Sequence, residues 1–224
     1  MENHIVKIIS VEPVTHDVKR FTVKKPEHYT YTPGQATMVS INTQELKNEK
    51  RPFTFTGLNE NQNLEFTIKI YEEHDSISKA LGELKHGDEL ILHEVWGAIQ
   101  YKGNGVFIAG GAGVTHFIAI LRQLEKDKQI DHNMLIFSNK TERDIILRKE
   151  FEGMMGNNFI NILSKENHKG YDSGQIDKSY LNDNIIDFEQ YFYVCGPPDF
   201  VKDISKSLFT LGVDEDKLVV EKMK

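Results

Sequence analysis

The first hundred residues alternate apolar and polar positions in short runs, which is the pattern of half-buried β-strands. In the clearest run, Leu64, Phe66 and Ile68 alternate with charged or hydroxyl-bearing residues. Turn-forming residues such as Pro33 and Gly34 separate the runs. The pattern predicts a small antiparallel barrel of six strands, over residues 5–11, 19–23, 36–41, 51–56, 64–70 and 89–93.

One short helix is predicted inside this barrel segment. Ile77, Leu81 and Leu84 fall on one helical face, and Asp75 or Ser76 stands where a residue can cap the N-terminus.

After about residue 101 the pattern changes to short apolar runs that alternate with helical spacing. The predicted strands cover residues 106–109, 134–137, 159–163, 191–195 and 218–220, and the predicted helices cover residues 114–124, 145–155, 177–181 and 199–211. Such alternation produces a doubly wound parallel α/β sheet with helices on both faces. The linker at 100–105 is the natural boundary, so we expect an all-β domain over residues 1–100 and an α/β domain over residues 101–224.

The composition excludes several classes of function. The 224 residues include 27 basic and 34 acidic side chains, for a net charge of −7, and no basic block, so nucleic-acid binding is not expected. A single cysteine excludes an internal disulfide and a cluster of iron and sulfur held by this chain alone, and the histidines lack metal-ligand spacing. No apolar run approaches the roughly 18 residues that span a bilayer, and residues 1–4 do not resemble a signal peptide. We therefore expect a cytoplasmic protein without membrane insertion. We also expect a monomer.

Two glycine-bearing loops follow predicted parallel strands. Gly110-Gly111-Ala112-Gly113-Val114-Thr115 leads into a helix, where backbone N–H groups and the helix dipole favour a diphosphate. The ordinary dinucleotide fingerprint fails, because His116 occupies the place of its third glycine. Cys195-Gly196-Pro197-Pro198 follows a later strand in the same way, so both loops can face one crevice. The alternatives are a tight turn for the first loop and a buried, inert cysteine for the second.

Arg51-Pro52-Phe53-Thr54 occupies a strand of the predicted barrel. Its arginine offers a planar fork for a phosphate, its aromatic ring can stack on a flat ligand, and its hydroxyl can form a hydrogen bond. The alternative is a strand with an ordinary surface arginine.

These motifs, in this order and over the whole chain, resemble those of the ferredoxin–NADP reductase family. The similarity is greatest to short bacterial flavodoxin or ferredoxin reductase-like members that lack a fused iron–sulfur domain. The resemblance implies a flavin-binding barrel followed by an α/β domain that binds NAD(P)H.

The resemblance implies that Arg51 contacts the flavin phosphates, that Phe53 lies against the isoalloxazine with Pro52 beside it, and that Thr54 lies near N5. The same flavin site is implied for Ile70, Tyr71 and the helix start Ser76-Ile77-Ser78, where Asp75 replaces a glycine of the family. The implied cofactor is FAD, with FMN as the less favoured alternative.

In the α/β domain the resemblance implies that Gly111, Gly113 and Thr115 receive the nicotinamide nucleotide, with His116 in place of a proline. It places Cys195, Gly196 and Pro197 beside the nicotinamide, and it implies a catalytic or partner-coupling role for Glu221, for which a solvated tail is the alternative. The second strand of the domain is followed by Ser138, Lys140 and Arg143, with no acidic residue before Glu142. Basic and hydroxyl groups there favour NADPH over NADH, unless they form a solvated loop.

The implied activity is transfer of hydride from NAD(P)H to FAD in a cleft between the domains, with Thr54, Thr115, Cys195 and Glu221 as the catalytic residues. Electrons then pass singly to a separate partner, for which flavodoxin or ferredoxin is the first expectation. An alternative is a reductase of free flavin, ferric chelates or an oxygenase component. A non-catalytic flavin or nucleotide sensor is the alternative of a different class.

Overall fold

A computed structural model describes residues 3–72, 77–97 and 99–221 of the chain. Asp75 and Ser76, which the sequence analysis placed at a helix start, lie outside the described residues. The chain forms two compact units. The first contains Met1–Gln100 together with Thr115–Arg122, and the second contains Tyr101–Val114 together with Gln123–Lys224.

The first unit is built on a curled antiparallel sheet of six strands: β1 (His4–Pro13), β2 (Val18–Lys24), β3 (Gln35–Ile41), β4 (Arg51–Thr54), β5 (Asn63–Lys69) and β6 (Glu89–Gly97). The strand order is β4-β3-β6-β1-β2-β5, and every neighbouring pair is antiparallel. A single bridge between Phe55 and Phe66 joins the two edges of the sheet. The predicted six-stranded antiparallel architecture is confirmed.

Alternation along the strands fills the core of this unit. Leu64, Phe66 and Ile68 of β5 point inward and are almost completely buried, as the apolar positions of β5 predict. Helix α1 (Ile77–Glu83) adds Ile77 and Leu81 to the same core, which confirms the predicted apolar face of the helix.

The second unit is built on a parallel sheet of six strands: β7 (Gly105–Gly110), β8 (Met134–Asn139), β9 (Phe159–Leu163), β10 (Asp172–Ser173), β11 (Tyr191–Cys195) and β12 (Leu218–Val220). The order is β10-β9-β8-β7-β11-β12, and all pairs are parallel. The predicted parallel sheet is confirmed. The direction of strand addition reverses at β7, which lies between β8 and β11. A parallel sheet of this kind binds its ligands at such a reversal.

Helices also cover both faces of the parallel sheet: α3 (Arg148–Met155), α4 (Lys178–Asn184) and α5 (Pro198–Thr210). Helix α2 (Thr115–Lys126) follows β7 in the chain. Leu181 of α4 and Ile204 of α5 share a core with Ile136 and other inward residues of the strands. On the opposite face, Phe151 of α3 packs against Phe159, with the ring centroids 5.5 Å apart. No described helix has the length and apolar character to cross a membrane.

Several bounds differ from the sequence prediction, and two of the differences have a clear local cause. The helix predicted over residues 145–155 begins only at Arg148, because Leu147 adopts a left-handed backbone with φ of 52°. The short strand β10 was not predicted, since its two residues are both exposed and carry no apolar signal.

Candidate functional site

Strand β4 carries the Arg51-Pro52-Phe53-Thr54 motif on the edge of the antiparallel sheet. Phe53 faces Thr37 across the β3–β4 pair and is half-buried against the core of the unit. Thr54 is only 6% exposed, whereas Arg51 and Pro52 are exposed. The strand therefore presents a cation to solvent beside an aromatic ring and a hydroxyl.

The Arg51 guanidinium is held only by weak surface contacts among the described residues. Half of its side chain is exposed, its Nη1 donates to the carbonyl of Lys50 at 2.8 Å, and Glu49 Oε2 lies 3.9 Å away. An exposed ion pair of this length contributes little free energy. The guanidinium can therefore turn to a phosphate at small cost, which fits the group that the sequence assigns to it.

The other predicted flavin-site residues lie at the end of β5 and the start of α1. The backbone N–H of Tyr71 donates to Ser78 Oγ at 3.3 Å, which ties the two segments together. Ile70 packs on the core and lies so close to α1 that a Cβ on Gly82 would stand 2.8 Å from its Cγ2. Tyr71 is half exposed and Ile77 is buried.

In the second unit, the loops after β7 and β11 touch through their glycines. A Cβ on Gly113 would collide with the Cys195 carbonyl and would stand 2.6 Å from Gly196 N. A Cβ on Gly196 would stand 3.2 Å from Gly110 Cα. The structure thus brings together Gly113, Cys195 and Gly196, which the sequence analysis assigned to one crevice.

The backbone of the loop after β7 is open to a ligand at Gly111. Its φ is +51°, and nothing lies within 4 Å of where its Cβ would stand. The loop is a 3-10 turn, Gly111–Val114, that runs into α2 at Thr115. Val114 provides no side-chain cap for this helix, so the positive end of the helix dipole favours an anion. These features fit a nucleotide diphosphate.

Cys195 and Glu221 follow neighbouring strands. Val194 of β11 pairs with Val220 of β12; Cys195 is the last residue of β11, and Glu221 comes directly after β12. Cys195 is 5% exposed, and Glu221 is half-buried. Pro197 is exposed and precedes α5.

The end of β8 carries both signs of charge. Lys140 and Arg143 are exposed, while Ser138 is half-buried. Between the two cations, Thr141 donates from its Oγ1 and its backbone N–H to Asp144 Oδ2, at 2.7 and 2.8 Å. Acidic and basic side chains thus share the turn that follows this strand.

A polar cluster beyond β8 was not found from the sequence. Arg148 donates to Glu142 and to the Tyr171 hydroxyl, the latter at 2.9 Å, and the hydrogen bond to Tyr171 raises the pKa of Arg148. His168 Nε2 lies 3.3 Å from Glu142 Oε2. These residues come from three separate segments and follow no local pattern, so only the fold reveals their proximity.

Two family models match the chain. One describes an oxidoreductase FAD-binding domain and matches residues 5–101, and the other describes an oxidoreductase NAD-binding domain and matches residues 107–206. Among similar proteins, NADH-cytochrome b5 reductase 2-A of Vanderwaltozyma polyspora is 26% identical over 215 residues, which cover 88% of this chain and 72% of that protein.

Solved structures share the fold over nearly the whole chain. The FAD/NAD-binding domain of a nitric oxide dioxygenase from Vibrio cholerae has a TM-score of 0.87 at 19% identity, with 97% of each chain covered. A ferredoxin NADP+ reductase from Neisseria gonorrhoeae, with bound FAD and NADP, has a TM-score of 0.83 at 20% identity, covering 95% of this chain and 92% of that one.

Proposed function

The chain belongs to the ferredoxin reductase-like family of oxidoreductases, with one FAD-binding and one NAD-binding domain, and on that premise we propose that it moves electrons from NADH to a small one-electron carrier protein. Its activity as an NAD(P)H-dependent FAD reductase follows from the family. The choice of NADH and the class of acceptor are the proposed parts. The observation that carries the proposal is the packing of Gly113 against Cys195 and Gly196, at the strand reversal where such a sheet binds its nucleotide.

FAD, when bound, accepts a hydride and can release the electrons singly. Toward this group we assign Arg51 to the phosphates, because its exposed guanidinium is weakly held. Phe53 provides an apolar ring beside the flavin, and the buried Thr54 hydroxyl provides a hydrogen bond to it. Tyr71, Ile77 and Ser78 line the same site.

Toward the nucleotide we assign the loops after β7 and β11. The open backbone at Gly111 and the start of α2 receive the diphosphate. Thr115 holds the carboxamide, and Cys195 and Gly196 shape the space beside the nicotinamide. Glu221 follows the strand next to Cys195 and can exchange a proton there.

The donor we propose is NADH. The cytochrome b5 reductase relative is named for NADH, which supports this choice. Acidic side chains also accompany Lys140 and Arg143, since Asp144 and Glu142 lie in the same turn. A 2′-phosphate would meet these carboxylates, whereas a free ribose would not be repelled. The sequence pattern alone favoured NADPH, so the two donors must be compared directly.

The acceptor we propose is a small protein that takes one electron at a time. The same relative is named for cytochrome b5, so a haem protein of that type is the first acceptor to test. Flavodoxin and ferredoxin, which the sequence resemblance favoured, are the alternatives.

An anaerobic titration of the FAD-loaded protein tests the proposal. We expect NADH to bleach the bound flavin. In steady-state turnover with ferricyanide, we expect a kcat/KM at least tenfold higher for NADH than for NADPH, and two molecules of ferricyanide reduced per NADH. A protein that binds no flavin would contradict the assignment of a flavin site to this chain. A preference for NADPH would overturn the proposal that NADH is the electron donor. If the protein reduces free flavin but not cytochrome b5, ferredoxin or flavodoxin, the proposal of a small protein acceptor is wrong.

A further inference from the structure

A partly buried ion pair joins helix α2 to the antiparallel sheet within the first unit. Arg122 Nη1 donates to Glu65 Oε1 at 2.6 Å and to the carbonyl of Thr56 at 2.7 Å. The two charged side chains are 16% and 19% exposed. The arginine thus contacts both edges of the curled sheet, because Thr56 follows β4 and Glu65 belongs to β5.

Neighbouring hydroxyls complete the surroundings of the carboxylate. Thr56 Oγ1 donates to Glu65 Oε1 at 2.7 Å and lies 3.1 Å from Thr67 Oγ1. Thr56 is fully buried. Removing one partner of such a pair leaves a charge with little water to solvate it, so Arg122 and Glu65 hold each other firmly in place.

A second contact holds the same helix two residues earlier. Ile120 is 1% exposed, and its Cδ1 would stand 3.0 Å from a Cβ on Gly34. Gly34 has a φ of +90°, and the Ile99 carbonyl oxygen, 1.8 Å from where its Cβ would stand, leaves even less room there than Ile120 does. Residues 115–122 of α2 accordingly cluster with the antiparallel sheet.

We propose that Arg122 is a positioning residue for hydride transfer. It fixes α2 against the segment that follows Thr54, and the helix holds Thr115 about 10 Å away, at seven residues of 1.5 Å each. This inference rests on the proposed function, in which Thr115 holds the nicotinamide and Thr54 contacts the flavin. Because both threonines belong to the first unit, the ion pair sets the distance between the two groups that they bind.

Stopped-flow reduction of the FAD-loaded protein by NADH tests the role of Arg122. In Arg122→Gln we expect the limiting rate at saturating NADH to fall about tenfold, because a ring displaced by a fraction of an ångström loses its reactive geometry. The Kd for NADH should change less than twofold, and the FAD content should stay at one per chain. Arg122→Lys keeps a cation that can donate to both acceptors and should recover most of the rate.

Arg20→Gln is the matched control. Arg20 Nη1 lies 4.0 Å from Glu65 Oε2, so it faces the same carboxylate, but it belongs to β2 and not to α2. We expect Arg20→Gln to reduce its flavin at the wild-type rate. If it slows as much as Arg122→Gln, the charge balance of Glu65 matters and the helix position does not, which would overturn the proposal.

A wild-type limiting rate in Arg122→Gln would also overturn it. Should that variant not fold, Glu65→Gln keeps an acceptor oxygen and is expected to slow the reduction about threefold, and a wild-type rate there counts against the proposal. Failure of the wild-type protein to oxidise NADH would instead defeat the proposed function, so the two failures are distinguishable.

Discussion

Arg51, the residue that we propose for the flavin phosphates, makes only weak contacts within the described part of the chain. Its ion pair with Glu49 spans 3.9 Å, and half of the side chain faces solvent. An exposed side chain with so long an ion pair contributes little to the stability of the fold. Its value lies in the charge that it presents beside Phe53 and Thr54, where a phosphate can pair with a planar fork of N–H donors.

At the residue scale we predict that Arg51→Ala weakens FAD binding about ten- to a hundredfold. A charged hydrogen bond to phosphate contributes about 1.5–3 kcal/mol, and the exposed alanine costs the fold little. Fluorescence titration of the apoprotein with FAD measures the effect. Lys47→Ala removes an exposed cation from the preceding loop and should bind FAD normally. Equal affinities for FAD in the wild type, Arg51→Ala and Lys47→Ala would show that Arg51 does not contact the flavin.

Among the elements, the two loops after β7 and β11 pack directly against each other at their glycines. Gly113 has no room for a side chain because the Cys195 carbonyl occupies that space. Gly196 is equally confined, by Phe200 Cδ1 at 2.7 Å from where its Cβ would stand. A methyl group at Gly113 would therefore push the two loops apart, whereas one at Gly196 would first have to displace the Phe200 ring.

At this scale we predict that Gly113→Ala lowers the melting temperature and raises the Kd for NADH at least tenfold. The added methyl cannot be placed without moving one of the loops, and backbone cannot yield as a flexible side chain can. Gly153→Ala is the control, because Gly153 is exposed on α3 with nothing within 4 Å of its Cβ position. That change should stabilise the helix by about 0.5–1 kcal/mol and leave NADH binding unchanged. Thermal unfolding and NADH titration of both variants measure these effects. Wild-type stability and NADH binding in Gly113→Ala would contradict the prediction.

The sequence predicted the elements far better than it predicted the contacts between them. Alternation in residues 64–70 and helical spacing in residues 199–211 are local signals, and both elements formed as predicted. The ion pair of Arg122 and Glu65 joins residues 57 positions apart, and neither residue carries a signal for the other. Leu147 delays the start of a predicted helix to Arg148 through its left-handed backbone conformation, which its apolar side chain does not indicate.

At the scale of the whole molecule, each unit has a core of its own. Phe21, Phe55 and Phe66 are buried in the first, whereas Ile108, Ile136 and Phe192 are buried in the second. A ligand stabilises the part of a protein that it binds, by about 2.7 kcal/mol when its concentration is a hundred times Kd. Loss of FAD should therefore lower the local stability of the first unit more than that of the second.

We predict that removal of FAD speeds amide hydrogen exchange in β4 and α1 while β8 and β9 keep their protection. Mass spectrometry of holoprotein and apoprotein under native conditions measures both regions in one sample, so the parallel sheet is its own control. Equal acceleration in all four elements would mean that the flavin stabilises the molecule as a whole and would contradict this assignment.

The place of β7 at the centre of the parallel sheet also governs how that sheet can assemble. Tyr193 of β11 donates a hydrogen bond to Gly103, which precedes β7 and lies 90 positions earlier in the chain. Closing so long a loop is entropically costly and slow, whereas β7, β8 and β9 meet through short crossovers. During synthesis, one side of β7 stays open until β11 has left the ribosome, and an open strand edge invites aggregation. The nucleotide crevice, which needs the loops after both strands, is therefore among the last features of the molecule that we expect to form.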